Sequence, residues 1–235
     1  MTRELPVASD VIDPSSVGLV PHETRLRVDL FDLLFRNCRP ERYMAGEYLF
    51  LQKDIADRIY GVLSGAVEVA VYSPGGRKFV ANIELPRNVV GEIDALDGGL
   101  RTESAHCLTD CTLLSLDRVQ LLDRLEKNNQ LVLAVIELLC ARLRWVSSER
   151  NDQALLKIEA RLAKRLLFLS GSLAGKDGWI AISQADLADL LGASRESVNK
   201  MLHDWRDISL ISTRRGAIRI TNAQGLRDIV NVRDE

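Results

Sequence analysis

The spacing of apolar residues changes along the chain, and the changes divide it into segments. From Thr24, the residues Leu26, Leu30, Leu33 and Leu34 fall at helical spacing in a run that ends before Arg39-Pro40. Between Tyr43 and Leu116 the period drops to two, most clearly in Val67, Val69 and Val71 and in Phe79, Ala81, Ile83 and Leu85. That alternation predicts strands. Ser73-Pro74-Gly75-Gly76 separates two of them and supplies the positive φ of a hairpin turn. Gly46, Gly61, Gly65, Gly91 and Gly98-Gly99 punctuate the rest at short intervals, which fits a compact β-roll or barrel rather than βαβ units.

From Asp117 to Leu156 neither glycine nor proline occurs, and apolar residues recur at Leu121, Leu125, Leu131, Val135, Leu138 and Trp145. This reads as one long helix that outreaches the roll. Its stripe needs a partner, and a second copy of the chain is the economical one, meeting it through Leu131, Val135, Leu138 and Trp145. Two shorter helices folded back on the roll are the alternative. The segments are then an N-terminal arm over residues 1–23, with three prolines and no period, a β-roll with a flanking helix over 24–117, the long helix over 118–156 and a further unit over 157–235. The fold class is α+β.

The last unit opens with Ile158, Leu162, Leu166 and Leu169, a helix that stops at Gly171. A glycine-rich turn and an apolar pair, Ile180 and Ile182, follow. Ser183 with Asp186 three residues on is a capping-box pattern opening a helix from Ala185 to Leu191. Gly192 closes it, Ser194 caps the next, and Val198, Met201, Leu202 and Trp205 mark the buried side of a helix from Arg195 to Asp207. Helix, tight turn and capped second helix form a helix-turn-helix. Arg195, Glu196, Asn199 and Lys200 are left facing outward at the N-terminal part of the second helix, the part that reaches base edges. Arg195 suits the acceptors of guanine, Glu196 accepts from cytosine, and Lys200 reaches a guanine or a phosphate. Leu210 to Ser212 and Ala217 to Ile220 then alternate across Arg214-Arg215-Gly216, a winged hairpin with a basic tip placed for phosphates. Ser183, Gln184 and Ser194 complete the candidate DNA-binding set.

Composition alone does not announce this partner. The 235 residues are 46% hydrophobic and carry 31 Lys and Arg against 33 Asp and Glu, a net charge of −2 and a pI near 6.0. The average conceals a sign change: residues 157–235 hold 13 basic and 10 acidic residues, a net of +3, which leaves −5 for residues 1–156. DNA affinity must therefore come from a local basic face, doubled by dimerisation and sensitive to salt. The longest apolar stretch, Leu131 to Ile136, is too short and too closely followed by charge to span a bilayer, and the first twenty residues lack a secretory pattern. A cytoplasmic protein without membrane contact is expected. Cys38, Cys107, Cys111 and Cys140 then read as reduced thiols. Cys107-x3-Cys111 beside His106 invites a metal, but the segment alternates like a strand and no second ligand pair follows, so packing is expected and no metal site.

The run from Leu190 to Lys200, LLGASRESVNK, closely resembles the signature of the Crp/Fnr transcription regulators. That resemblance extends from about residue 25 to 222 and implies an upstream cyclic-nucleotide-type β-roll and a long dimer helix. It also points to the family's phosphate-binding cassette, matched here by Gly91-Glu92-Ile93-Asp94-Ala95-Leu96 and by Arg101-Thr102 ten residues on. Physically, a glycine lets backbone N–H groups approach a phosphate, an arginine pairs with its oxygens and a carboxylate accepts from a ribose hydroxyl. Glu103 departs from the pattern, standing where the family has a small apolar residue. An acid there costs phosphate affinity unless it points out of the pocket. Val146 and Ser147 fall where the cyclic AMP receptor branch has a Thr-Ser pair that meets adenine, the serine coming from the opposite subunit. Loss of the threonine hydroxyl weakens the choice of adenine over guanine.

The resemblance implies a homodimeric regulator of a palindromic operator in double-stranded DNA, controlled by cyclic AMP or also cyclic GMP and working with RNA polymerase. The alternative is a regulator of the same family with no cyclic-nucleotide response or another effector. An iron–sulfur sensor is not expected, because residues 1–37 hold no cysteine, and isolated His22, His106 and His203 offer no haem ligand set. An enzyme built on Glu92, Asp94 and Asp97 lacks any supporting Ser-His-Asp, Walker or HExxH arrangement.

Overall fold

The computed structural model describes residues 26–231 apart from 77 and 176, so the expected arm over residues 1–23 lies outside the described residues. Helix α1 (Val28–Leu34) precedes strands β1 (Pro40–Tyr43), β2 (Tyr48–Phe50), β3 (Arg58–Ser64), β4 (Val67–Tyr72), β5 (Lys78–Glu84) and β6 (Val89–Val90). The short helix α2 (Glu92–Asp97) leads to β7 (Ser104–Cys107) and β8 (Cys111–Asp117). These strands form two antiparallel four-stranded sheets in the orders β1-β8-β3-β6 and β2-β7-β4-β5. Between them lie Phe50, Val62, Val67, Val90, Ala105, Cys107 and Leu113. Cys107 and Cys111 are thus buried thiols of the core, as packing required, and among the described residues no group of three or more His, Cys, Asp or Glu is placed to hold a metal ion.

The expected hairpin turn is present, with Gly76 N donating to Ser73 O at 2.9 Å and φ of 77° at Gly76. Strict alternation fails beyond it. Val69 pairs with Asn82 and Ala70 with Val80, so Ala81 is the extra residue of a bulge. Asn82, Ile83, Glu84 and Leu85 are all buried, because this end of β5 is covered on both faces.

The glycine-free stretch is two helices, not one. Helix α3 (Arg118–Glu126) packs on the roll, and α4 (Asn129–Leu155) begins after Asn128, whose Oδ1 accepts from Gln130 N at 2.9 Å and Leu131 N at 3.2 Å. An asparagine side chain that satisfies free backbone donors caps a new helix without Gly or Pro. At 27 residues α4 is about 40 Å long. Leu131, Val135 and Leu138 are buried, and Leu131 and Leu138 pack with Phe31, Leu34, Ile59 and Leu121 of the same chain. They therefore do not supply the dimer stripe expected of them, and Trp145 is only half-buried. The open side of α4 carries Leu133, Ile136, Cys140, Leu143 and Val146 instead, with Leu143 at 68% exposure. The sequence period locates apolar stripes but does not say which stripe the chain itself covers.

Helices α5 (Ile158–Leu173), α6 (Gln184–Leu191), α7 (Arg195–Asp207) and α8 (Ala223–Asn231) build the last unit with a sheet of β9 (Ile180–Ala181), β10 (Ile211–Arg214) and β11 (Ala217–Ile220), ordered β10-β11-β9. Helix α5 runs through Gly171 to Leu173 rather than stopping there. Its Leu162, Leu166 and Leu169 meet Leu187, Leu190, Val198 and Leu202 in a core that also takes in Val80, Ile83 and Leu85 of the roll. Ion pairs Lys164–Asp152 and Arg165–Glu149 (2.5 Å for the latter) tie α5 to the end of α4. Among the described residues no helix is long and apolar enough to cross a membrane.

Candidate effector pocket and DNA-binding face

Ser183 caps α6 as expected, its Oγ accepting from Asp186 N at 3.1 Å while Asp186 Oδ2 accepts from Ser183 N at 3.3 Å. Gly192 ends the helix at φ 62° and Ser194 caps α7 by accepting from Ser197 N at 3.1 Å. Val198, Met201, Leu202 and Trp205 are buried, which turns Arg195, Glu196, Asn199 and Lys200 to the surface. Antiparallel β10 and β11 pair Arg214 with Ala217, leaving the tip Arg215-Gly216 exposed. Ser183, Gln184, Arg195, Asn199, Arg214 and Arg215 line one concave face. Glu196 and Lys200 lie on the exposed surface of α7 outside that lining. Trp179, not singled out in the sequence, orders this face. Arg214 lies 4.3 Å and Arg219 5.0 Å from its ring centroid, and Asp177 Oδ2 is 3.6 Å from Arg214 Nη2.

In the roll, Gly91 is left-handed at φ 79° and immediately precedes α2. A Cβ on it would lie 2.5 Å from Arg101 Nη1, so close approach of the arginine as well as backbone angle demands glycine here. Arg101 is 2% exposed and stacks 4.0 Å from the Phe50 ring centroid. Its Nη1 donates to Gly91 O at 2.7 Å and its Nη2 to Arg58 O, while Nε is buried without a hydrogen-bond partner. Thr102 Oγ1 donates to Asp94 Oδ1 at 2.9 Å.

The adjoining pocket is lined by Glu84, Gly91, Glu92, Ile93, Asp94, Thr102, Glu103 and Arg142, with Phe50, Val69 and Val90 as apolar walls. Arg142 enters from α4. It places Nη1 2.8 Å from Glu84 Oε1, Nε 2.7 Å from Glu92 Oε1 and donates from Nη2 to Val89 O at 2.6 Å. Glu84 also accepts from Asn82 Nδ2 at 2.8 Å and from Asn88. Burial acts to lower the Arg142 pKa, but Glu84 and Glu92 outweigh it and hold the guanidinium charged. Burial raises Glu92 against the pull of Arg142. Glu103 does not turn away from the pocket; it lines it, and burial followed by the charge of Asp94 pushes its carboxyl up to about 7.

Against a cyclic nucleotide these groups divide. Gly91, Glu92 and Thr102 line the pocket, and Arg101, packed behind Gly91, keeps an orphaned Nε. Glu84 and Glu103 add acids that disfavour an anion. Arg101 itself lies behind Gly91, outside the lining.

Residues 40–128 match the cyclic nucleotide-binding domain and residues 160–229 the Crp-like helix-turn-helix domain. The HTH-type transcriptional regulator Cmr of Mycobacterium tuberculosis is 31% identical over 210 residues, which cover 86% of this chain and 80% of that protein. The chain belongs to the Crp/Fnr family of transcription regulators. The CRP-like cAMP-activated global transcriptional regulator of M. tuberculosis is 28% identical over 198 residues, 82% of this chain and 88% of its own length. A CRP-family transcriptional regulator of Thermus thermophilus has a solved structure that superposes with a TM-score of 0.73 at 25% identity, covering 83% of this chain and 98% of that one.

In this Crp/Fnr chain the cassette residues Gly91, Glu92, Ile93 and Thr102 come together around one pocket, with Arg101 packed behind Gly91. Val146 and Ser147 do not line the pocket of their own chain; both are exposed on α4, with Ser147 Oγ donating to Leu143 O at 2.9 Å. Arg142, one helical turn before Val146, is what α4 contributes, and no motif in the sequence marks it.

Proposed function

We infer that the chain acts as a homodimer on a two-fold symmetric operator, and that a cyclic nucleotide in the roll sets its DNA affinity. The observation that carries this reading is the double use of α4. One face sends Arg142 into the pocket between Glu84 and Glu92, and another exposes Leu133, Ile136, Cys140 and Leu143 at the alternating three- and four-residue spacing of a helix-pair seam. A second copy covering that seam places two copies of α7 for half-sites about 34 Å apart.

Strand β5 supplies the second route from pocket to DNA-binding unit. Glu84 faces Arg142, while its neighbours Ile83 and Leu85 belong to the core shared with α5, α6 and α7. A ligand that displaces Arg142 thus shifts both α4 and the strand against which the helix-turn-helix packs. Moving such a switch from 1:99 to 99:1 takes about 10⁴-fold preference, roughly 5.5 kcal/mol. RNA polymerase is the protein partner that fits this role, and the cAMP-activated relative supports cyclic AMP or cyclic GMP as the effector class.

A second reading, no nucleotide response or a different effector, is favoured by one observation: both Nη atoms of Arg101 are engaged by backbone carbonyls. Cross-linking tests the assembly. Exposed Cys140 should give a covalent dimer with a short bis-maleimide, and Cys140→Ser should not; a chain that sediments as a monomer at working concentration overturns the homodimer.

A further inference from the structure

Four carboxylates line the roll pocket, and three are committed. Glu84 accepts from Asn82, Asn88 and Arg142, Glu92 pairs with Arg142, and Asp94 accepts from Thr102. Among the described residues no hydrogen bond or ion pair engages Glu103, although most of its surface is withdrawn from water. A free carboxyl in that position costs affinity for every anionic ligand, and only a ligand that brings N–H donors to it offsets the cost.

The two purines differ on that point. Guanine carries N1–H and N2–H2 side by side, matching the two oxygens of a carboxylate. Adenine sets the acceptor N1 beside its one amino group, and an ionised carboxylate repels that lone pair. We propose that Glu103 is a base-reading residue of the effector pocket and selects guanine over adenine, so that cyclic GMP is the preferred effector. This rests on the reading of the roll as a cyclic-nucleotide site.

The location suits the role. Glu103 follows Thr102 of the cassette in sequence and lines the same pocket as Thr102 and Arg142 of α4. Among the described residues the only α4 side chain that lines this chain's own pocket is that of Arg142, already paired with Glu84 and Glu92. The groups around Glu103 are Asp94 and Glu92 from α2, Glu84 from β5 and Arg142 from α4; the acids raise its pKa and Arg142 lowers it. With the carboxyl titrating about 7, discrimination grows with pH, because the protonated acid can donate to adenine N1 and accept from its amino group.

Calorimetric titration of the full chain with cyclic GMP and cyclic AMP, at about pH 6 and about pH 8, tests this. The wild type should bind cyclic GMP at least about tenfold more tightly at the higher pH, with a smaller gap at the lower one, since removing a required hydrogen-bond match costs that much or more. Glu103→Ala should bring the two affinities within about twofold of each other, and Glu103→Gln, which keeps the side-chain volume, should lose the pH dependence. Equal or reversed affinities in the wild type, or a preference that survives Glu103→Ala, overturn the assignment. Binding of neither nucleotide by the wild type overturns the nucleotide reading of the pocket and this inference with it.

Discussion

Arg142 Nε lies 2.7 Å from Glu92 Oε1, which joins the long helix of the Crp/Fnr chain directly to the first residue of its cassette helix. The same guanidinium bonds Glu84 on β5, so one side chain holds α4, α2 and β5 together.

Arg142→Met leaves Glu84 and Glu92 buried without their cation. Loss of one partner from a buried ion pair costs about 3–5 kcal/mol, and urea denaturation should show a loss of that size. Adding Glu92→Gln to the same chain should recover part of it.

Glu103 gives a pH dependence of stability. Its carboxyl titrates about 7 in the folded chain against an ordinary 4.5. The folded state therefore holds the proton more tightly between those values, so stability declines as pH rises through them and stays lower above. The decline is a few kcal/mol at most, since each tenfold difference in proton affinity between the folded and unfolded chain is worth about 1.4 kcal/mol. Thermal melts of Glu103→Gln should be flatter over this range and higher than wild type at about pH 8; parallel curves would show that Glu103 is not responsible.

The two apolar sides of α4 separate by mutation. Leu143→Glu should convert dimer to monomer in sedimentation while leaving the melt of the roll little changed, because Leu143 touches solvent in the single chain. Leu138→Ala should leave the dimer intact and lower stability by about 2–5 kcal/mol, the cost of a buried leucine cavity.

Much of this was legible in the sequence. Capping residues Ser183 and Ser194 and the Gly192 turn located the helix-turn-helix because each acts on its immediate neighbours, and the structure places all three as expected. The period-two stretch located the roll. Long-range covering was not legible: nothing local in Leu131 or Leu138 says that α1 will bury them, and Asn128 looks like any polar residue until its side chain caps α4. The bulge at Ala81 and the burial of Asn82 and Glu84 beyond it accompany the covering of β5 on both faces, a tertiary fact. For the pocket, Gly91 and Glu92, with Arg101 behind them, were located by the resemblance to the Crp/Fnr cassette, whereas Arg142 comes from another segment of the chain and carries no motif.

On the DNA face, Arg195→Ala should cost about 1–3 kcal/mol and relax preference at one base pair. Arg215→Ala, at the wing tip, should weaken all sequences alike and reduce the salt slope by about one. Competition binding with single-position operator variants distinguishes the two patterns; a uniform loss for Arg195→Ala would make it a phosphate contact.

Occupancy of the roll pocket is proposed to set DNA affinity. Fluorescence anisotropy on a selected operator, with and without saturating cyclic GMP or cyclic AMP, measures this directly in the wild type and in Arg101→Ala. The expected result is at least about tenfold tighter DNA binding with nucleotide in the wild type, a coupling of roughly 1.4 kcal/mol or more, and no response in Arg101→Ala. Operator affinity that does not change in the wild type at nucleotide saturation would contradict it.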